Sequence, residues 1–219
     1  MTDFARARHN MVESQIRTNK VTDERLLSAF NRVPRELFVP AALRGIAYVD
    51  EDLKLAPGRY MLEPMVLARL LQTAEVRDTD TLLEVCTGTG YGAAIAAGLA
   101  KQVYAIDDDL ALVNTARRNL MEVGVRNAEV VLGDPTAGLP VAAPYDVILL
   151  AGAVPELPKA IADQLAEGGR LVLVERASGA VTGRAMLYVR RHGAVSGRPV
   201  FDAASKPLPG FAKAPAFAF

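Results

Sequence analysis

The segment from residue 81 to residue 107 constrains the fold of this chain most, because it predicts a complete βαβ unit. An apolar run from Thr81 to Cys86 has the character of a buried strand, and a glycine-containing turn follows it. Small residues from Ala93 to Ala100 suit a helix packed closely on a sheet, and a second apolar run ends on Asp107. Two strands joined by a helix in this way indicate an α/β protein with a parallel sheet.

Three spaced glycines, Gly88, Gly90 and Gly92, lie in the turn after the first strand. Glycines let the backbone approach a ligand closely, and an acid about 20 residues further on can accept hydrogen bonds from ribose hydroxyls. Asp107 stands at that distance from Gly88. The pattern therefore predicts binding of an adenosine-containing cofactor, although glycines that only form a tight turn would give the same spacing.

The glycine loop alone does not separate NAD from S-adenosylmethionine, since residues 88–93 also fit the dinucleotide pattern G-x-G-x-x-A. Glu84 inside the first strand is a buried acid that needs hydrogen bonds, either from the amine of the methionine end or from loop amides. A third strand also ends in an acid, Asp134, which can reach an adenine edge. These acids favour S-adenosylmethionine, with residues 87–91 against its methionine part, Asp107 on the ribose and Asp134 near the adenine.

The composition narrows the possible classes of protein. A length of 219 residues with 51% hydrophobic and 23% charged residues indicates one domain with appended elements. Lys and Arg number 25, as do Asp and Glu, so no electrostatic footprint predicts nucleic acid or an anionic membrane. One cysteine, Cys86, and two distant histidines, His9 and His192, predict neither disulfides nor a metal site. The sequence has no signal peptide or membrane span, which predicts a cytoplasmic protein.

Hydrophobic periodicity predicts alternating helices and strands along the whole chain. The predicted helices cover residues 4–32, with a new N-cap at Thr22, then 65–73, 110–123 and 157–165, the last ended by Gly168 and Gly169. The predicted strands cover residues 81–86, 103–107, 128–134, 145–151, 170–175 and 185–190, the last paired antiparallel with a segment near Val200. Residues 48–64 are predicted to be a loop. This alternation is typical of a doubly wound α/β sheet, whose ligand crevice lies at the carboxyl ends of the strands.

Several stretches resemble the protein-L-isoaspartate O-methyltransferase family. They are residues 11–17, 23–25, 33–40, 47–50, 83–91, 133–134, 143–146 and 165–172, in the order found in the family. The resemblance implies a class I S-adenosylmethionine-dependent methyltransferase fold, with a seven-stranded, mostly parallel sheet and an N-terminal helical extension. It also implies methyl transfer from S-adenosylmethionine to a carboxylate in damaged protein, with S-adenosylhomocysteine as the product and a protein or peptide as the substrate.

The resemblance also assigns residues to the two halves of the site. The expected cofactor-binding residues are Glu84, Cys86, Thr87, Gly88, Thr89, Gly90, Tyr91, Asp107, Asp108, Gly133, Asp134 and Pro135. The expected substrate loop holds Arg59, Tyr60, Met61, Leu62 and Glu63. Residues 1–64 would then form N-terminal helices and the substrate-side loop, and residues 65–219 the cofactor-binding core, as one structural unit.

The substrate loop departs from the family pattern. The family loop reads roughly G-Q-T-I-S-Q-P, whereas residues 58–64 read G-R-Y-M-L-E-P. Tyr60 and Leu62 stand at the Thr and Ser positions, so both aliphatic hydroxyls are lost and no catalytic residue can be assigned. Glu63 adds a negative charge that would repel an isoaspartyl carboxylate. We therefore expect weak or absent isoaspartyl methylation. The alternative is a divergent member or pseudo-enzyme with another or no acceptor, acting as a binding or regulatory protein.

Two departures fall in the cofactor half, where Cys86 replaces the first loop glycine and Pro135 replaces the glycine after Gly133-Asp134. Cys86 is expected to be a small buried residue. We also expect residues 56–64 to act as a lid over bound cofactor, bending at Gly58, because glycine tolerates backbone angles closed to other residues. The apolar tail, residues 212–219, would dock on the body, serve an interface or be a weakly ordered terminus.

Overall fold

A seven-stranded sheet forms the centre of the computed structural model, which describes residues 3–211. Its strands are β3 (Thr81–Val85), β4 (Gln102–Asp107), β5 (Ala128–Leu132), β6 (Tyr145–Val154), β7 (Leu165–Glu175), β8 (Gly183–Arg191) and β9 (Ala194–Ala203). They lie in the order β5-β4-β3-β6-β7-β8-β9. The first five are parallel, whereas β8 is antiparallel to both of its neighbours. The predicted mostly parallel sheet, including the late antiparallel pair, is confirmed.

Six α-helices and one hairpin accompany the sheet in the described part of the chain. The helices are α1 (Phe4–Met11), α2 (Glu24–Arg32), α3 (Pro64–Ala74), α4 (Tyr91–Ala97), α5 (Leu110–Glu122) and α6 (Lys159–Ala162). The hairpin consists of β1 (Leu53–Ala56) and β2 (Arg59–Met61). None of the helices within residues 3–211 is long and apolar enough to cross a membrane.

Side chains that alternate along the central strands build a core on both faces of the sheet. Val103 and Ala105 point to one face, where they pack with α3, α4, α5 and the N-terminal helices. Leu171 and Leu173 point to the other face, where the cover is thinner and includes Ile161 of α6. Burial on both faces explains why these strands read as continuous apolar runs. The crevice at their carboxyl ends is therefore carried by a rigid sheet.

The N-terminal region begins with a helix at Phe4, as predicted, but it is not one regular α-helix up to the next N-cap. After α1 the chain continues through a π-helical turn (Val12–Ile16) and a 3-10 turn (Arg17–Asn19). The predicted N-cap at Thr22 is wrong, because Asp23 caps α2 by accepting hydrogen bonds from the N–H groups of Arg25 and Leu26. A carboxylate is a stronger acceptor than a hydroxyl for these free amides.

Two further segment predictions are wrong. Residues 48–64 are not only a loop, since the Pro57-Gly58 turn, with Gly58 at φ 71°, closes the β1–β2 hairpin. The predicted helix 157–165 is reduced to the four-residue α6, and Gly168 and Gly169 lie inside β7 instead of ending a helix. The register between β6 and β7 shifts at this point, and glycines accommodate such an irregularity in a strand. The prediction made for residues 212–219 lies outside the described residues.

Candidate cofactor site

Asp107 lies at the carboxyl end of β4 and is fully buried. Its Oδ2 accepts a hydrogen bond of 2.9 Å from the N–H of Gly88, and its Oδ1 accepts one of 3.2 Å from the N–H of Asp109. Burial raises the pKa of Asp107, and the hydrogen bonds from these two amides oppose that change. The structure thus brings together the predicted acid and the predicted glycine loop at the tips of two adjacent strands.

Glu84 is buried below the same loop and is satisfied by the protein itself. Its Oε2 accepts a 2.5 Å hydrogen bond from the hydroxyl of Thr87, and the carboxylate also accepts one from the N–H of Ala93. Burial raises the pKa of Glu84 to about 7. A Cβ on Gly92 would lie 1.9 Å from Oε1 of Glu84. The third glycine of the motif therefore makes room for a buried acid, not for a ligand.

Cys86 takes up a left-handed conformation, with φ 61°, at the position where the family has a glycine. L-residues other than glycine rarely adopt this region, so the loop keeps a glycine-like turn at some cost in strain. The side chain is buried, and burial raises the pKa of the thiol. The expectation of a small buried residue is confirmed, and a neutral thiol is a poor nucleophile.

Thr89 and Tyr91 are turned toward the N-terminal region. The hydroxyl of Thr89 donates a 2.6 Å hydrogen bond to the carbonyl of Phe38. The ring of Tyr91 packs edge-on against Phe38, at 5.4 Å between centroids, and the guanidinium of Arg35 lies 4.7 Å from its centroid. These two predicted cofactor residues thus join the glycine loop to the N-terminal helices.

The residues at the tip of β5 differ in exposure, and Asp134 is exposed. Oδ1 of Asp134 accepts hydrogen bonds from both the N–H and the hydroxyl of Thr136, and these bonds lower the pKa of the carboxyl group. The N–H of Gly133 donates to the carbonyl of Asp107, which holds the tips of β4 and β5 together. Pro135 is buried, and Asp109 caps α5.

The β1–β2 hairpin covers the crevice from the N-terminal side. Arg59 is 9% exposed, and its Nε lies 3.4 Å from Oδ1 of Asp107. Its Nη2 donates a hydrogen bond to Asp108. On the neighbouring strand of the hairpin, Leu55 lies so close to the loop that a Cβ on Gly88 would be 2.8 Å from its Cδ1. Arg59, a basic residue of the expected substrate loop, therefore forms an ion pair with Asp107, the acid that is expected to bind the ribose.

A second segment, residues 205–211, covers the crevice from the other side and is called the strap. The N–H of Ala153 donates to the carbonyl of Lys206, and the N–H of Leu208 donates to that of Ala153. A Cβ on Gly152 would lie 2.5 Å from the side chain of Leu208, and one on Gly210 would lie 3.0 Å from Thr136. The sequence alone did not predict that this segment covers the crevice, although its Lys-Pro-Leu-Pro-Gly composition indicates an extended chain.

The space that remains at the crevice is small. One cavity of about 10 Å³ adjoins Arg59, Cys86, Gly88 and Leu208, and another of about 20 Å³ adjoins Leu62 and Glu84. Each has room for about one water molecule. A ligand of nucleoside size needs a pocket of roughly 300 Å³ or more. The donor and acceptor groups suit an adenosine cofactor, but in this arrangement of hairpin and strap the cofactor does not fit.

The remaining residues of the substrate loop are mostly inside the protein. Met61 and Leu62 are buried, and Tyr60 is half-buried with the Lys206 ammonium 5.9 Å from its ring centroid. Glu63 is half-buried, and its pKa is raised to about 7, first by burial and then by the nearby carboxylates of Asp50 and Asp52. The expected charge repulsion from Glu63 is therefore only partial at neutral pH.

Comparison with known proteins gives a consistent family match. The family model of protein-L-isoaspartate(D-aspartate) O-methyltransferase matches residues 6–200. The protein-L-isoaspartate O-methyltransferase of Methanoculleus marisnigri is 44% identical over 167 residues, which are 76% of each chain. That of Koribacter versatilis is 43% identical over 173 residues, covering 79% of this chain and 78% of the relative.

Solved structures agree in fold. One protein-L-isoaspartate O-methyltransferase superposes with a TM-score of 0.80 at 25% identity, over 93% of this chain and 66% of that one. A Plasmodium falciparum protein, described as a putative protein-L-isoaspartate O-methyltransferase in complex with S-adenosyl-L-homocysteine, gives a TM-score of 0.78 at 17% identity. It covers 92% of this chain and 97% of its own. These likenesses confirm the predicted methyltransferase fold.

Proposed function

The chain belongs to the protein-L-isoaspartate(D-aspartate) O-methyltransferase family, and from this premise we propose that it is an S-adenosylmethionine-dependent methyltransferase with altered acceptor use. The observation that carries the proposal is the meeting of Asp107 with the loop at Gly88 on the tips of β3 and β4. This is the crevice in which open α/β sheets bind their ligands.

The cofactor half of the proposal keeps the predicted residues but gives them unequal roles. Asp107 would accept hydrogen bonds from the ribose, and residues 86–90 would line the methionine part. Asp108, Gly133, Asp134 and Pro135 would border the adenine. Glu84 and Gly92 support the loop from below, and Thr89 and Tyr91 attach it to the N-terminal helices. Because the closed crevice has no room for the cofactor, the hairpin and the strap must move before it can bind.

The acceptor half supports reduced isoaspartyl activity. A carboxylate is already ionised at neutral pH, so orientation is the main service that the protein can give to it. Hydroxyl groups at positions 60 and 62 would hold such a substrate, but Leu62 has none and the Tyr60 phenol lies in a different place on a longer side chain. Losing a hydrogen bond to a charged group costs about 1.5–3 kcal/mol, so two losses amount to about a hundredfold or more in rate.

Protein or peptide is the proposed substrate class, with the N-terminal part, residues 1–64, on the substrate side. A cytoplasmic location stays a prediction from the sequence. A second candidate function, a binding or regulatory protein without methyl transfer, is favoured by one observation, the burial of Leu62, which has no hydroxyl, at the position where the family has a serine. Such a protein would bind the cofactor and methylate nothing.

Calorimetric titration of the protein with S-adenosylhomocysteine and, separately, with NAD tests the cofactor assignment. We expect S-adenosylhomocysteine to bind and NAD not to bind, since the strand-tip acids suit a single nucleoside with an amino-acid end. Binding of NAD with no binding of S-adenosylhomocysteine would contradict the assignment. Transfer of labelled methyl groups to any peptide distinguishes the methyltransferase from the binding protein.

A further inference from the structure

Arg59 reaches the place at which the ribose of a cofactor is expected. Its guanidinium is next to the carboxylates of both Asp107 and Asp108, and the side chain is largely removed from solvent, since only 9% of the residue is exposed. Nε and Nη1 of Arg59 have no hydrogen-bond partner within the described residues, so the contact with Asp107 is an ion pair without a hydrogen bond. The guanidinium is therefore held chiefly by two acids, one of which is the acid that a ribose would need.

The hairpin that carries Arg59 is fixed at its base. The buried Arg35 donates a 2.7 Å hydrogen bond from Nη2 to the carbonyl of Leu62. Asp52 accepts hydrogen bonds from the N–H of Glu63 on one oxygen and from the N–H of Lys206 on the other. The same carboxylate thus joins the hairpin to the strap, so the two covers are mechanically linked.

The strap completes the closure and lies beyond the residues that the family model matches. The family model ends at residue 200, whereas the strap begins at residue 205. Leu208 packs against Gly152 at the tip of β6, and Gly210 lies near Thr136 beyond the tip of β5. The strap therefore runs along the carboxyl edge of the sheet, over the side of the crevice where the adenine is expected.

We propose that Arg59 and the strap form an intramolecular plug that competes with S-adenosylmethionine for the crevice, with Arg59 taking the place of the ribose on Asp107. This inference rests on the proposed function. It modifies the expectation that residues 56–64 act only as a lid over bound cofactor. Arg59 must leave Asp107 before the cofactor can bind, and only then can the hairpin close over it. A cofactor that binds only the open state has its apparent dissociation constant raised as the fraction of open molecules falls.

The test compares three forms of the full chain: the unchanged protein, Arg59→Gln and Arg44→Gln. Glutamine is the residue that the family pattern has at position 59, and it removes the ion pair without creating a large void. Arg44 is exposed and forms no ion pair with Asp107 or Asp108 within the described residues, so Arg44→Gln controls for the loss of one positive charge. S-adenosylhomocysteine is the probe, because it lacks the sulfonium charge and a change in affinity cannot come from repulsion between that charge and Arg59.

We expect Arg59→Gln to bind S-adenosylhomocysteine about tenfold more tightly than the unchanged protein, and Arg44→Gln to bind within about twofold of it. Without ligand, hydrogen exchange in residues 53–61 should be faster in Arg59→Gln while the central strands keep their protection. Equal or weaker binding by Arg59→Gln, with binding by the unchanged protein, overturns the plug and leaves the proposed function standing. Faster hairpin exchange with no binding by any form overturns both.

Discussion

At the scale of single residues, Glu84 and Gly92 form one unit at the bottom of the crevice. The carboxylate accepts hydrogen bonds from Thr87 and Ala93, and it can do so only because position 92 has no side chain. The sequence shows the spacing of the glycines but not which of them faces a ligand. Gly92 stands at a position of the G-x-G-x-x-A pattern that any residue can take, and its close contact with Glu84 explains why a glycine is needed there.

The variant Gly92→Ala should lower the free energy of unfolding by roughly 2–4 kcal/mol, because the new Cβ displaces Glu84 and breaks a buried hydrogen bond. Urea unfolding followed by circular dichroism measures the change. Gly45→Ala is the matched control, because no neighbouring atom lies within 4 Å of a Cβ at that position. The free energy of unfolding of this variant should change by less than about 0.5 kcal/mol. Equal stability of the two variants would refute the packing argument.

The pKa of Glu84, raised by burial from 4.5 to about 7, gives a second residue-scale prediction. The folded state binds this proton more tightly than the unfolded state, so the stabilising contribution is complete below pH 4.5 and is lost as the pH rises through about 7. Relative to the unchanged protein, Glu84→Gln should therefore gain on the order of 2–3 kcal/mol in unfolding free energy from about pH 5 to about pH 8.

Urea unfolding at a series of pH values checks this prediction. The exposed Glu122→Gln serves as the control for the replacement of one glutamate by glutamine. A difference for Glu84→Gln that does not change with pH would show that Glu84 titrates alike in both states.

At the scale of elements, the ends of helices depend on single acceptors. Asp23 caps α2 and Asp109 caps α5, each with two backbone N–H groups. Thr22 and Asp23 are both common N-cap residues, so the sequence allows either to begin the helix. The position of Thr22 is fixed instead by its backbone, whose N–H donates a 2.6 Å hydrogen bond to Gln72 of α3. The residue that caps α2 is therefore set in part by a contact with Gln72, which is 50 positions further along the chain and cannot be read from the local sequence.

Asp23→Ala should cost about 0.5–2 kcal/mol of stability, because two N–H groups of the first turn lose their acceptor. Thr22→Ala, one position earlier, should cost less than about 0.5 kcal/mol, since its hydroxyl does not cap the helix. Thermal unfolding of both variants compares them directly. A larger loss for Thr22→Ala would restore the N-cap first predicted from the sequence.

At the scale of the whole molecule, the sequence predicts the features that depend on local signals. It does not predict the features that depend on contacts between residues far apart in the chain. The β3–α4–β4 unit, the apolar β6 and the antiparallel β8–β9 pair follow from periodicity within short segments, and the structure contains all three. The closure of the crevice does not follow from such signals. The partners Arg59 and Asp108 are 49 positions apart, and Lys206 and Asp52 are 154 apart. No local pattern encodes pairs at these separations.

The altered residues of the substrate loop can be understood only from the fold. Its departures from the family pattern at Tyr60 and Leu62 are visible in the sequence, but only the fold shows that Leu62 is buried and held through its carbonyl by Arg35. Position 62 is thus part of the hydrophobic core on the helical side of the sheet. This explains why an apolar residue is stable there and why it offers nothing to a charged acceptor.

The chain keeps the family fold, and we expect its isoaspartyl methylation to be weak, which an initial-rate assay measures. Labelled S-adenosylmethionine is supplied with an isoaspartyl peptide, and the same peptide with a normal aspartyl residue is the control. The unchanged protein should transfer at least about a hundredfold less methyl per unit time than a family member with the intact Thr-Ile-Ser loop. The double variant Tyr60→Thr with Leu62→Ser should recover part of the rate. Turnover by the unchanged protein equal to that of the intact-loop member would show that the loss of the two hydroxyls does not weaken isoaspartyl methylation.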